Sequence, residues 1–142
     1  MTGFDLTRRE TYCHWTPVTI RYSDQDAMAH VNNTALATYV EAARTAFIYE
    51  LIRRSGAQGI EFILARLVID YRRELHYPGT VDVGARLIRV GNKSITTGYG
   101  VFKGADCVAT SECVNVFYDL ATRKTTIPPD SVRTALVAEL EG

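Results

Sequence analysis

Apolar and polar residues alternate from Thr16 to Ser23, placing Val18, Ile20 and Tyr22 on one face with the period of a β-strand. The alternation stops at a polar loop, Asp24 to Asn32. A helical spacing then takes over, with Leu36, Tyr39, Val40, Ala43, Phe47 and Leu51 on one stripe. Asn32 or Asn33 is a natural N-cap for this helix and Gly56 a natural stop. Such a helix, about 20 residues and ~30 Å long, needs a broad apolar surface to lie across, most simply a sheet.

The remaining chain reads as strands. Ile63 to Leu75 is apolar and then charged, and Pro78-Gly79 marks a turn. Thr80 to Val90 alternates Val81, Val83, Ala85 and Leu87, Gly91-Asn92 turns the chain, and Ser94 to Lys103 alternates again. Gly104-Ala105-Asp106 leads into Cys107 to Tyr118, and Ser131 to Leu140 forms a short terminal helix. The short connections predict that these strands are antiparallel neighbours. Strand, long helix and meander together predict an α+β fold with the helix on one face of a sheet. Residues 1–13 are polar and are expected to be loosely held.

Composition narrows the function more than the fold. At 142 residues one domain is expected, spanning 1–142 with a core over about 16–140. Sixteen basic and 16 acidic side chains cancel, which argues against a nucleic-acid or anionic-membrane surface. No apolar run approaches a membrane span, and the first 15 residues lack the apolar core of a signal peptide. Cys13, Cys107 and Cys113 are odd in number and have no C-x-x-C spacing, so reduced thiols in a cytoplasmic protein are expected.

The loop carries the chemistry. Asp24, Asp26, His30, Asn32 and Asn33 crowd into ten residues just before the long helix. A carboxylate upstream of a helix N-terminus can deliver a nucleophile to a carbonyl that the free backbone N–H groups polarise. The plainer alternative is that Asp26 only supports the loop or caps the helix. A calcium loop opening at Asp24 fails, because its sixth position is Ala29 and its twelfth Ala35. No metal site is expected, and no P-loop, G-x-G-x-x-G or G-x-S-x-G stands in the chain.

The run Arg21-Tyr22-x-Asp24-x-Asp26-x-Met28-x-His30-Val31-Asn32-Asn33, followed by Tyr39-x-Glu41-x-x-Arg44, resembles the hotdog-fold acyl thioesterases of the 4-hydroxybenzoyl-CoA thioesterase type. Asp70 to Glu74, Val90 to Ser94 and Ile127-Pro128 resemble later segments of that family. The resemblance implies a curved antiparallel sheet wrapped round one helix. It also implies a homodimer or dimer of dimers, with active sites at the subunit interface. The implied substrate is an acyl-CoA thioester, hydrolysed to a free acid and coenzyme A, with no cofactor beyond the coenzyme A of the substrate itself. An acyl-carrier-protein substrate, or an acyl-binding module without turnover, are the alternatives.

In this resemblance Asp26 matches the catalytic carboxylate, and the Asn33 backbone N–H falls at the oxyanion donor. His30 matches a histidine that the related plant acyl-carrier-protein thioesterases use beside an Asp, an Asn and a downstream Glu. Here Asp26, His30 and Glu74 match, but Met28 stands at the Asn position. Leu36 replaces the family's usual Tyr and changes the pocket wall. Met28, Leu36 and Glu74 are therefore expected substrate contacts. Arg89 and Lys93, with Lys103, flank turns where coenzyme A phosphates would need cations, or are simply solvated surface charges. Asp24 is expected to brace the loop near Arg21, and Glu41 and Arg44 to pair along the helix.

Overall fold

The computed structural model describes residues 3–142. Strand β1 (His14–Thr19) leads through a single 3-10 turn, Tyr22–Asp24, and the polar loop into helix α1 (Asn33–Ser55). Strands β2 (Ile60–Tyr71), β3 (Thr80–Val90), β4 (Ser94–Lys103), β5 (Asp106–Asp119) and β6 (Lys124–Thr125) follow, and α2 (Asp130–Glu141) closes the chain. Local chemistry sets the ends of α1. The Asn32 side chain accepts the Thr34 N–H at 3.0 Å, and Gly56 takes the left-handed conformation, φ 78°, that ends a helix.

The strands form one antiparallel sheet in the order β1-β3-β4-β5-β2, with β6 paired to β5. The sheet curls round α1. Val40, Ala43, Phe47, Ile48 and Leu51 of the helix share one buried core with Val83, Ala85 and Leu87 of β3 and Ile95, Tyr99 and Val101 of β4. This is the hotdog arrangement that the resemblance implies.

Four expectations need correction. The opening strand is shorter and earlier than Thr16 to Ser23, because Asp24 draws the backbone N–H of Arg21 into a turn and leaves Tyr22 exposed. Strands β2 and β3 are not neighbours: β2 pairs with β5 at one side of the sheet, and β3 pairs with β1 and β4. The second strand ends at Tyr71 rather than Leu75, since the chain leaves the sheet to cross between the two sides. Leu75 is buried on this crossing, and its carbonyl accepts the Val31 N–H at 2.7 Å.

The fourth correction concerns the N-terminal segment, of which residues 3–13 are packed rather than loose, while residues 1 and 2 lie outside the described residues. Gly84 and Gly100 face each other in register on β3 and β4. Tyr12 is buried against them, and its hydroxyl donates to the Leu6 carbonyl at 2.6 Å. A Cβ at Gly84 would come within 2.5 Å of the Tyr12 ring, so glycine is what lets this segment lie flat on the sheet.

Candidate active site

The polar loop has an inner and an outer face. On the inner face Asp24 is buried. Its carboxylate takes the Tyr39 hydroxyl at 2.5 Å, the Arg21 backbone N–H at 2.9 Å and the Arg21 guanidinium at 2.9 Å. Burial alone would push its pKa up. The hydrogen bonds from Tyr39 and Arg21 outweigh burial and hold the carboxyl below its ordinary range. The same pairing, added to burial, raises the Tyr39 hydroxyl far above its ordinary value. The Asp24 carbonyl also accepts the Asn32 N–H at 2.8 Å, so this residue fixes both ends of the loop, as a brace should.

Asp26 lies on the outer face and is exposed. One oxygen, Oδ1, accepts the backbone N–H groups of Met28 at 2.9 Å and His30 at 3.2 Å. The Asp26 N–H donates in turn to the His30 carbonyl at 2.8 Å, and Ala29 sits at φ 61° to close this small turn. Oδ2 appears in none of these bonds. The backbone therefore fixes the carboxylate through one oxygen and leaves the other outside these bonds.

A cavity of about 320 Å³ opens beside this turn. Asp26, His30, Asn33 and Leu36 line one side, and Tyr71, Arg72, Arg73 and Glu74 the other. Asn33 is the first residue of α1. In its first turn the Thr34 N–H goes to the Asn32 side chain, and the Ala35 and Leu36 N–H groups go to the Asn32 carbonyl. The Asn33 N–H has no acceptor among the described residues, so an orphan donor at the positive end of the helix stands in the cavity wall. The Asn33 carbonyl accepts the Tyr71 hydroxyl at 3.3 Å, tying α1 to the end of β2.

His30 is half-buried, with Nε2 3.4 Å from Glu74 Oε2. His76 lies 3.5 Å from the same oxygen, and its Nδ1 is 3.2 Å from the Ala29 carbonyl. Glu74 is thus in the crossing segment rather than at a strand end, and both histidines flank it.

The cavity brings together Asp26, His30, Asn33, Leu36 and Glu74 of the residues picked from sequence. Met28 is 74% exposed at the loop tip and is not in the lining. Arg89 and Lys93 sit about the β3–β4 turn, level with the Ile63 end of β2 through the pairings of β4 and β5. That is the opposite end of the sheet from Tyr71. Sequence reasoning passed over Arg72, Arg73 and His76. The arginines stood in plain view in Asp70 to Glu74, but only the crossing of the chain brings them into the lining of the same cavity as Asp26, with Arg73 also 3.7 Å from Asp106.

A second, smaller cavity of about 130 Å³ lies between α1 and β2, lined by Val40, Arg44, Leu64, Leu67 and Cys113 among others. Arg44 is buried there, 3.3 Å from Asn115 Oδ1 and 3.8 Å from Glu41. β2 is the outermost strand beyond β5, and it leaves Ile63, Leu67 and Tyr71 exposed. No described helix is long and apolar enough to cross a membrane.

The fold and this site define a hotdog-fold protein with an acidic loop at its helix N-terminus. The profile of the thioesterase-like superfamily matches residues 20–136, and the chain belongs to that superfamily. No curated protein matches it. Among solved structures it is similar to the PA5185 protein of Pseudomonas aeruginosa, at 26% identity and TM-score 0.79, over 92% of this chain and 94% of that one. It shares its fold with the DHNA-CoA thioesterase of Staphylococcus aureus (21% identity, TM-score 0.76, 87% and 88% covered). The same holds for the Staphylococcus aureus protein SAV2348, solved in complex with CoA (14% identity, TM-score 0.80, 90% and 84% covered).

Proposed function

We propose that this protein is an acyl-CoA thioesterase, hydrolysing an acyl or aroyl thioester to a free acid and coenzyme A. One observation carries the reading: an exposed, backbone-aimed carboxylate and an orphan helix N-terminal N–H line the same cavity. The thioester carbonyl oxygen would accept the Asn33 N–H, where the helix end favours developing negative charge. The free oxygen of Asp26 would then attack the carbonyl carbon itself, or take a proton from the water that does. If Asp26 attacks, the coenzyme A thiolate leaves and takes a proton, and water then cleaves the acyl–Asp26 anhydride to give the free acid and restore the carboxylate. If water attacks, the acid forms directly as the thiolate leaves with the proton Asp26 took. His30, held by Glu74, stands on the same wall and can orient the water or the leaving group. Arg72 and Arg73, exposed at the rim, suit the phosphates of the coenzyme. The CoA complex of the SAV2348 protein supports a coenzyme of this kind.

The working unit in this reading is a homodimer or a dimer of dimers. A long edge strand with exposed apolar residues is a surface that seeks a partner. If two β2 strands pair antiparallel, the Tyr71 end of one lies beside the Ile60 end of the other. Arg89 and Lys93 of a second copy would approach the cavity from that side, and the groove between α1 and β2 would become an acyl tunnel.

Thiol release measured over a panel of aliphatic and aromatic acyl-CoA substrates tests this function. The same acyl groups on acyl carrier protein run beside them. Turnover on at least one acyl-CoA, faster than on the matched carrier protein, is the expected result. Preference for the carrier protein would change the partner. Binding of acyl-CoA with no thiol release on any substrate would replace the enzyme with an acyl-binding module.

A further inference from the structure

We propose that His30, Glu74 and His76 form a binding site for a divalent transition-metal cation of the zinc class. Their ligand atoms, two imidazole nitrogens and a carboxylate oxygen, all lie within 4.8 Å of one another. Glu74 Oε2 is 3.4 Å from His30 Nε2 and 3.5 Å from His76 Nε2. Zinc bonded to nitrogen and oxygen at ~2.0–2.1 Å holds its tetrahedral ligands about 3.3–3.4 Å apart, so these separations need only a small side-chain adjustment.

The histidines are also prepared for the task. His76 Nδ1 faces the Ala29 carbonyl at 3.2 Å. A carbonyl only accepts, so this contact is made by an Nδ1–H, and Nε2, which faces Glu74, is the nitrogen left for a metal. A second hydrogen bond that fixes the tautomer in this way is the usual companion of a metal-binding histidine. The His30 and His76 rings meet edge to face, with centroids 5.1 Å apart, and both bring Nε2 to the same Glu74 oxygen. Both residues hang from anchored backbone. The His30 N–H is bound to Asp26 Oδ1, and the His76 carbonyl accepts the Lys103 ammonium at 3.1 Å. Two neutral imidazoles and one carboxylate suit zinc, cobalt or nickel better than calcium or magnesium, which prefer oxygen.

Calorimetric titration of the full chain with zinc chloride tests the site, with the visible absorption of bound cobalt(II) reporting coordination. One cation per chain is expected. Binding should weaken at least about tenfold in His76→Ala and again in Glu74→Gln, since even loss of an orienting partner costs ~10–100-fold. Circular dichroism of both variants should match the parent, because the two side chains are exposed. Cys13→Ser, which removes the exposed thiol, should bind as the parent does. Zinc binding that is unchanged in both variants, or lost in Cys13→Ser, would overturn the assignment, as would no binding at millimolar zinc. The readout is independent of turnover, so a protein inactive on every acyl-CoA would still answer the question.

Discussion

Asp24 and Asp26 are two residues apart and live in different solvents. Asp24 lies on the inner face of the loop, buried, with hydrogen bonds to Tyr39 and Arg21 and its backbone carbonyl bound to Asn32. Asp26 lies on the outer face, held by two backbone N–H groups through one oxygen and open to a cavity through the other. A carboxylate whose acceptor positions are all engaged can hold a structure together but has nothing left for a substrate. A carboxylate bound on one side only is oriented and still reactive. In the proposed mechanism the same residue type serves stability on one face and chemistry on the other, and the difference is that the Tyr39 hydroxyl and the Arg21 guanidinium close round Asp24 alone.

Exchanging the charge for an amide at each position separates these roles. Asp26→Asn is expected to lower thioester hydrolysis by about 10²–10⁴-fold, the usual contribution of a positioned acid or base. Its urea midpoint should shift little, since the side chain is exposed. Turnover within threefold of the parent on every cleaved acyl-CoA would remove Asp26 from the mechanism.

The next largest effect falls on the helix N-terminus. In the proposed mechanism Asn33 acts through its backbone N–H, so Asn33→Ala should leave hydrolysis nearly unchanged. Asn33→Pro deletes the N–H itself. Proline is well tolerated at the first helical position, and Asn32 already has the extended conformation, ψ 144°, that a following proline requires. The expected result is a folded protein with kcat lowered about 10²–10³-fold, the typical loss of one oxyanion donor. Equal activity of the alanine and proline variants would place the carbonyl elsewhere.

Asp24→Asn should behave in the opposite way to Asp26→Asn. Loss of the charged acceptor is expected to cost about 2 kcal/mol of stability in urea unfolding. Acid titration sharpens this. The Asp24 pKa is lowered in the folded protein, so its ionisation contributes stability above its ordinary value of 3.8, and that contribution fades as pH falls through the lower folded value. The gap between parent and Asp24→Asn should therefore be full at neutral pH and narrow in acid. A gap that stays constant down to pH 2 would mean that the charge of Asp24 is not what stabilises the loop.

Such contrasts also explain what the sequence could reveal. The ends of α1, β3 and β4 were legible because caps and glycine turns act within a few residues. Asp26, His30 and Asn33 were legible as a group because one short loop carries them all. The place of β2 was not, since its partner is β5 and the choice depends on pairings made later in the chain. Nor was the docking of Tyr12, which needs glycines from two strands brought into register. Arg72, Arg73 and His76 reach the site only because the crossing after β2 passes beneath the loop. The two aspartates looked alike in sequence for the same reason: Tyr39, which separates their roles, arrives from the second turn of the helix.

The smallest expected effect tests whether the helix end serves fold and chemistry at once. Asn32 caps α1 through its side-chain oxygen, which accepts the Thr34 N–H and hydroxyl at 3.0 Å each. Asn32→Asp keeps that acceptor and adds a negative charge beside the positive end of the helix. A charge there typically stabilises by about 0.3–1 kcal/mol, so the thermal midpoint should rise slightly. The same charge opposes the oxyanion that would form at the neighbouring Asn33 N–H, so hydrolysis should fall about two- to fivefold, the rate equivalent of that energy. Stability and activity are thus expected to move in opposite directions from one substitution that removes no contact. If both rise, or if activity is indifferent to the charge, the donor at Asn33 does not face the reacting carbonyl.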